Sequence, residues 1–312
     1  MKIYNDVFKF RSQQKTFVTI GTFDGVHLGH QKVIQNLVIG AKNANSKSVL
    51  LTFFPHPRMI LKKGNSIELL NTLEERIKLL EQTGLDILII QEFNFQFSEI
   101  SAYNFVKNIL VENLNILKLV VGYDHQFGKN REGSFEQLKD YSSEFGFKLE
   151  KIIQKEIKEI AISSTKIRTA LKSGKIKLAT KYLGYNYTLT GTVVQGKNLG
   201  EKIGFPTANL KLTETYKLIP KTGAYIVKSV LKNITTYGMM NIGYRPTVNG
   251  QNQTIEIHFF DFCDNLYNEK IQICILNHLR DERKFDTIEN LKSQLIKDKK
   301  KSLKFIKLLQ TT

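Results

Sequence analysis

The sequence predicts a two-part α/β chain: a doubly wound parallel sheet, then an antiparallel β-barrel or sandwich closed by a C-terminal helix. Three observations predict it. In the first half, short apolar runs alternate with helical patterns. After about residue 185, short strands follow one another between turn residues. The stretch near 286–309 then returns to helical spacing.

The elements follow in order. FVTI (17–20), SVLLTFF (48–54), DILII (86–90) and LKLVVG (117–122) are apolar runs of strand length, as expected of buried parallel strands. LGHQKVIQNLVIGAKNA reads as the helix after the first of them. TLEERIKLLEQTG reads as another, with Leu73, Ile77 and Leu80 at helical spacing. In such sheets ligands bind at the carboxyl ends of the strands, where the strand order reverses. LKSGKIKLATKYLGYNY reads as two short helices that end the first part, so the boundary is placed at 184/185. Beyond it, YTLTGTVVQG, GAYIVKSVL, TTYGMMNIG, TIEIHFFDF and EKIQICIL are short strands.

Composition limits the classes of function. At 312 residues the chain suits two domains, and 41% hydrophobic with 24% charged residues suits a soluble globular protein that buries packed cores. The start, MKIYNDVFKF, lacks the apolar core of a secretion signal, and no run approaches the ~20 apolar residues of a membrane helix. A cytoplasmic protein with no membrane partner is expected. Cys263 and Cys274, the two cysteines, are expected to be small buried side chains of a reduced protein. The net charge of +17 points to polyanions, nucleotide phosphates among them. A nucleic-acid surface would cluster its charge and interleave aromatics, and no such pattern is present. The one cluster, Lys297 to Lys307, shares a helical pattern with Leu303, Ile306 and Leu309 and reads as the solvated face of a packed helix.

The sharpest chemical signal is TIGTFDGVHLGHQKVI (19–34), at a strand end that opens a helix. Gly21 and Gly25 allow a ligand close to the backbone. His27 and His30 lie three apart at the helix start, on one side. A helix N-terminus attracts phosphate, and two imidazoles beside it suit charge developing on a transferring phosphorus. Chelation of zinc would need a completed ligand set, which two histidines alone do not supply. Downstream, ISSTKIR (162–168) offers the hydroxyls of Ser163, Ser164 and Thr165 at a helix start, and Arg168 for a bidentate phosphate contact.

GTFDGVHLGH resembles the G-x-F-D-x-x-H-x-G-H signature of the nucleotidyltransferase superfamily, and ISSTKIR resembles its S-S-T-x-I-R motif after the fifth strand. TFFPHPRMIL (52–61) and VVGYDHQFGKNREGS (120–134) resemble segments of prokaryotic FAD synthetases, with His125 where that family often has Phe. The resemblance implies adenylyl transfer from ATP to FMN. It implies ATP contacts from Gly21, Phe23, Asp24, Gly25, Ser163, Ser164 and Thr165, and catalytic roles for His27, His30 and Arg168. Phe53, Pro55, Asp124 and Phe127 would hold the flavin.

In the second part, TGTVVQGKNLGEKIGFPTANL (190–210) carries glycines at 196, 200 and 204 that suit a loop over phosphates. Thr207 and Asn209 are two apart and share one side of an extended chain. Their oxygens are hard ligands suited to Mg²⁺ held largely by nucleotide phosphates. In IEIHFFDF, Ile255, Ile257 and Phe259 share one face while Glu256 and His258 share the other. By pattern alone Glu256 reads as solvent-facing. GFPTAN resembles the signature of riboflavin kinases, and PKTGAYIV, NIGYRPTVNG, IEIHFFDFCDNLYNEKIQI and LRDERKFDTIENLKSQLIKD resemble that family's successive segments. The resemblance implies a barrel that makes FMN from riboflavin. Glu256 would be its catalytic base, Gly196 and Gly204 would contact ATP, and Thr207 and Asn209 would hold Mg²⁺ and ATP. Two positions depart from the family pattern: Ala224 stands for Val, and Asn268 for Gly at a left-handed turn.

Overall fold

The structure, a computed structural model, describes residues 1–61, 67–122, 127–129, 133–152, 162–196, 199–247 and 250–311. Asp124 and His125 lie outside them. Contacts divide the chain into two units, Met1–Ser164 and Thr165–Thr312.

The first unit is built on strands β1 (Lys2–Tyr4), β2 (Thr16–Ile20), β3 (Lys47–Phe54), β4 (Ile87–Glu92), β5 (Ile116–Gly122) and β6 (Lys148–Ile152). They form one parallel sheet in the order β1-β4-β3-β2-β5-β6. The order reverses between β2 and β5, whose carboxyl ends are Ile20 and Gly122. All five residues of β2 are buried because both faces of the sheet are covered. On one face Phe17, Leu50, Leu88 and Val120 pack with Val33, Ile34 and Leu37 of helix α1 (Leu28–Asn43). On the other, Val18, Val49, Ile89 and Val121 pack with Phe105, Val106, Ile109 and Leu110.

That second covering element is a π-helix, Phe105–Asn113. The small helices α2 (Pro57–Leu61), α3 (Leu73–Glu81), α4 (Phe95–Ser98) and α5 (Ala102–Asn104) precede it in the chain, and α6 (Phe135–Phe145) follows it. Helix α3 starts with a full capping box: Thr72 Oγ1 accepts from Glu75 N, and Glu75 accepts from Thr72 N. Two strands escape the sequence pattern. β1 is three exposed residues at one sheet edge, and β6, KLEKI, is a largely polar strand at the other. Edge strands are covered less, so their composition carries little apolar signal.

The second unit begins with helices α7 (Ser164–Lys172, its first residue in the first unit) and α8 (Ile176–Leu183). These helices, read from sequence as the end of the first part, group by contacts with the second unit. Strands β7 (Thr188–Val194), β8 (Ala208–Leu212), β9 (Gly223–Leu231), β10 (Ile234–Thr247), β11 (Gly250–Phe259) and β12 (Lys270–Asp281) follow, with the short helix α9 (Leu199–Lys202) between β7 and β8. They close as an antiparallel barrel in the order β10-β11-β8-β7-β12-β9. Closure therefore decides between the barrel and the sandwich. Ile255, Ile257 and Phe259 of β11 are all buried, with 4%, 0% and 7% exposure. Asn268 adopts φ +65°, as the turn before β12 requires.

Helix α10 (Ile288–Gln310) lies against the barrel through Leu291, Leu295, Phe305 and Ile306. Its packed face differs from the sequence expectation, since Leu303 and Leu309 are 45% and 48% exposed while Ile306 is buried. One polar contact ties the helix down: Arg280 Nε on β12 donates to Asp298 Oδ2 at 2.8 Å, and Gln294 Nε2 donates to Oδ1 at 2.8 Å. Both partners are largely removed from water, so each charge depends on the other. The cysteine expectation is corrected here. β11 ends at Phe259, so Cys263 falls in the following turn and is exposed, while Cys274 is half-buried in β12.

Because removing one partner strands a buried charge, Asp298→Ala is expected to destabilise the second unit by about 3–5 kcal/mol. Denaturant unfolding of the variant beside the parent chain measures this. A change below about 1 kcal/mol shows that the pair is not what holds α10.

Candidate active sites

The first site forms where β2 runs into α1, beside the reversal in strand order. Gly21 N–H still donates to Leu51 O at 3.1 Å, and the chain then turns sharply. Phe23, Gly25 and Val26 have φ of +47°, +89° and +32°. For Phe and Val such a backbone costs on the order of 1–3 kcal/mol each and persists only where the surroundings enforce it.

Those surroundings can be named. The Asp24 carboxylate, 2% exposed, accepts from Leu70 N at 2.9 and 3.1 Å and from Asn71 N at 3.3 Å. Arg76, 3% exposed on α3, donates to Thr22 O at 2.5 Å and to Phe53 O at 3.4 Å. Ser164 Oγ donates to Asp24 O at 2.8 Å. Phe23 is buried and touches the His30 ring, with centroids 4.8 Å apart. Asp24 and Phe23, expected from the resemblance to touch nucleotide, are thus engaged in shaping the turn.

The turn delivers His27 to the N-cap of α1, where its Nδ1 accepts from His30 N at 3.3 Å. The two imidazoles stack, with centroids 3.6 Å apart and planes 14° from parallel. Among the described residues, buried His30 Nδ1 has no hydrogen-bond partner. Burial first, then His27 and Arg76, hold the His30 pKa well below its ordinary 6.5. His30 is therefore neutral at pH 7 and donates through one N–H rather than two.

Helix α7 starts at Ser164, leaving Ser163 at the capping position, Thr165 exposed and Arg168 half-buried one turn on. Phe53 is half-buried in a run of rings that continues through Phe97 and Phe105 to Phe127, with successive centroids 5.5, 6.3 and 5.7 Å apart. Phe127 itself is 7% exposed within the core, whereas Pro55 is half-buried after a cis peptide bond.

The second site lies on the outer wall of the barrel. Register places Asn209 of β8 opposite Glu256 of β11, Glu256 opposite Asn241 of β10, Asn241 opposite Ala224 of β9, and Ala224 opposite Arg280 of β12. All five line one cavity of about 310 Å³. Thr207, His258, Leu291, Leu295 and Asp298 line it too, so α10 forms its far side. The alternation of β11 thus turns Glu256 into a half-buried cavity residue rather than a solvent-facing one.

The glycines act at close range. A Cβ on Gly196 would lie 2.0 Å from Asn209 Nδ2, so only glycine leaves this amide in place. Gly204 takes φ +83° in the turn after α9, and Gly200 lines the cavity. His258 Nδ1 lies 2.8 Å from Pro206 O; a carbonyl only accepts, so this nitrogen carries the proton. Burial lowers the His258 pKa, partly offset by that hydrogen bond, and the ring is neutral at pH 7.

Sequence reasoning missed Arg76, Asn241, His258, Arg280 and Asp298. Arg76 had a signal, a cation three residues after Leu73 and four before Leu80 on the apolar stripe of α3. Arg280 and Asp298 had none, being 18 residues apart and joined only by packing.

A phosphate-suited helix start on a parallel α/β unit and a largely apolar cavity with a carboxylate on its wall, on a closed barrel of the same chain, are the arrangement expected of a two-unit transferase. Family comparison agrees. Residues 9–166 match the FAD synthetase family, and residues 183–306 match the riboflavin kinase family. A bifunctional riboflavin kinase/FMN adenylyltransferase of Buchnera aphidicola is 39% identical over 96% of each chain. One of Bacillus subtilis is 36% identical over 96% of this chain and 95% of its own. A crystal structure from Streptococcus pneumoniae, described as a macrolide-efflux protein, superposes with a TM-score of 0.85 at 28% identity over 96% of this chain and 97% of its own. Among the described residues, no helix is long and apolar enough to cross a membrane. The chain belongs to the bifunctional riboflavin kinase/FMN adenylyltransferase family.

The lowered pKa of His30 sets a pH dependence. Below about pH 6.5 the unfolded chain binds a proton at this position that the folded chain does not, so the folded state loses stability as pH falls. From about pH 7.5 to pH 5.5 the parent melting temperature is expected to fall further than that of His30→Gln. Equal falls in thermal scans exclude a depressed His30.

Proposed function

We propose that the chain converts riboflavin to FMN and then FMN to FAD, using one ATP at each step, in the cytoplasm. We assign the adenylyltransferase to residues 1–184 and the kinase to 185–312. The observation that carries the reading is the row Asn209–Glu256–Asn241 on one cavity wall, in a chain whose halves match the two families in that order.

In the kinase step, Glu256 accepts the proton of the ribityl 5′-hydroxyl as that oxygen attacks the γ-phosphorus of ATP and ADP leaves. The apolar part of the cavity, Ile203, Phe205, Met239 and Leu291, suits a flat aromatic ring system. Thr207 and Asn209 present a hydroxyl and an amide oxygen beside Glu256, an all-oxygen set that fits Mg²⁺. When bound with the nucleotide, Mg²⁺ neutralises charge on its phosphates. Gly196, Gly200 and Gly204 belong to the loop that covers those phosphates.

In the adenylyl step, a phosphate oxygen of FMN attacks the α-phosphorus of ATP in line, and pyrophosphate leaves. The helix N-terminus with His27 and His30 stabilises the charge that develops there. Ser163, Ser164, Thr165 and Arg168 hold the departing phosphates. Gly21 and Gly25 bring the backbone close to ATP, with Phe23 and Asp24 maintaining the turn. Phe53 and Pro55, both half-buried, supply the flavin side of this site.

Incubation of the purified chain with riboflavin, ATP and Mg²⁺, followed by flavin chromatography, is expected to yield FMN and then FAD. Glu256→Ala should lose FMN formation by at least about 100-fold yet still make FAD from supplied FMN. His30→Ala should accumulate FMN and make no FAD. If Glu256→Ala forms FMN at the parent rate, the base is misassigned.

Gly196→Ala tests the loop. The added methyl displaces Asn209, and a misplacement near 1 Å costs about 100-fold in turnover. FMN formation should fall by that order while FAD formation from FMN is unchanged. A parent-like kinase rate would show that Asn209 is not needed in place.

A further inference from the structure

Among the described residues, the ladder between β8 and β11 holds two residue pairs, Asn209↔Glu256 and Ala208↔Ile257. The next pair would be Thr207 with His258, and Pro206 stands beyond it. Proline has no N–H to donate, so a regular ladder is weakened there. Pairing stops one residue short of Thr207, the residue read as a metal and nucleotide ligand.

His258 supplies a bond at that point. Its side chain leaves β11 on the same face as Glu256, two residues away. Nδ1–H donates to Pro206 O at 2.8 Å. The ring is held between Phe205 and Phe260, with centroids 5.2 and 5.8 Å away. It is 8% exposed, so water competes little for this bond. On the other side of Pro206, Phe205 N donates to Gly200 O at 2.8 Å. The segment ahead of Thr207 is therefore tied at two points, one of them His258.

We propose that His258 is a positioning residue for riboflavin phosphorylation: its Nδ1–H ties the Pro206 carbonyl to β11 where the ladder has stopped, and so holds Thr207 and Asn209 toward the nucleotide. His258 acts through Pro206 and does not exchange protons with the substrate. The inference rests on the kinase reading above.

The test uses three variants of the full chain, with initial rates of FMN formation at varied MgATP and at varied free Mg²⁺. His258→Asn keeps an N–H at the bond count of Nδ1 and can reach Pro206 O. His258→Gln moves its N–H to the place of Nε2 and cannot. His258→Leu keeps bulk without a donor. The Gln and Leu variants are expected to raise KM for MgATP, and the half-saturating Mg²⁺, by at least about tenfold, with kcat changed less. The Asn variant is expected to stay within about threefold of the parent chain.

FAD formation from supplied FMN should be unchanged in all three. If the Leu variant fails to fold, the Asn and Gln pair decides. Equal behaviour of Asn and Gln, either both parent-like or both impaired, overturns the inference. A parent chain that makes no FMN overturns the kinase reading and this inference together, whereas a parent that makes FMN with Asn and Gln alike overturns this inference alone.

Discussion

The second unit depends on one constraint, the two-residue period of β11 inside a closed barrel. Closure commits Ile255, Ile257 and Phe259 to the interior, where each is nearly inaccessible. Glu256 and His258 must then point outward, because successive side chains of a strand alternate. A slip of one residue would bury a carboxylate and expose three apolar side chains, and that penalty makes the register secure. The same constraint acts on the neighbouring strands, so that Asn209, Asn241, Ala224 and Arg280 fall abreast of Glu256. Helix α10 covers this row and makes a cavity of what would be an exposed barrel wall.

The first unit reaches a comparable result by different means. A parallel sheet whose order reverses between β2 and β5 leaves a crevice at their carboxyl ends. The chain leaves β2 through a turn with two non-glycine residues at positive φ. Asp24, Arg76 and Ser164 bond to that turn or from it, and together they outweigh its strain. The stacked pair His27 and His30 then stands at a helix start, with His30 held neutral by burial. An uncharged imidazole can move toward protonation as negative charge accumulates, which suits phosphoryl-type transfer.

The parallel strands β2 to β5 and helix α1 were legible because apolar runs and helical spacing are local properties. β1 and β6 were not, since edge strands carry exposed or polar residues. The His27/His30 pair and the Thr207/Asn209 pair were legible from spacing. The partners of Asp24 were not: Leu70 and Asn71 lie more than forty residues away, and their N–H groups engage its carboxylate. The placement of Phe127 was not legible either, since its ring is enclosed by the core cluster that includes Phe105. Nor was the exposure of Cys263 legible, because β11 ends at Phe259 and leaves Cys263 in the loop that follows.

By itself the sequence determined the two architectures, their order, and which short motifs carry oxygen and imidazole groups at useful spacings. These are matters of periodicity and local geometry, complete within some ten residues. Only the tertiary structure decided that the second unit closes as a barrel and that Glu256 faces a cavity. It alone decided that Arg280 and Asp298 anchor α10, and that His258 meets the carbonyl of Pro206. Each of these joins residues from different elements, through burial and hydrogen bonds that exist only once the chain has packed.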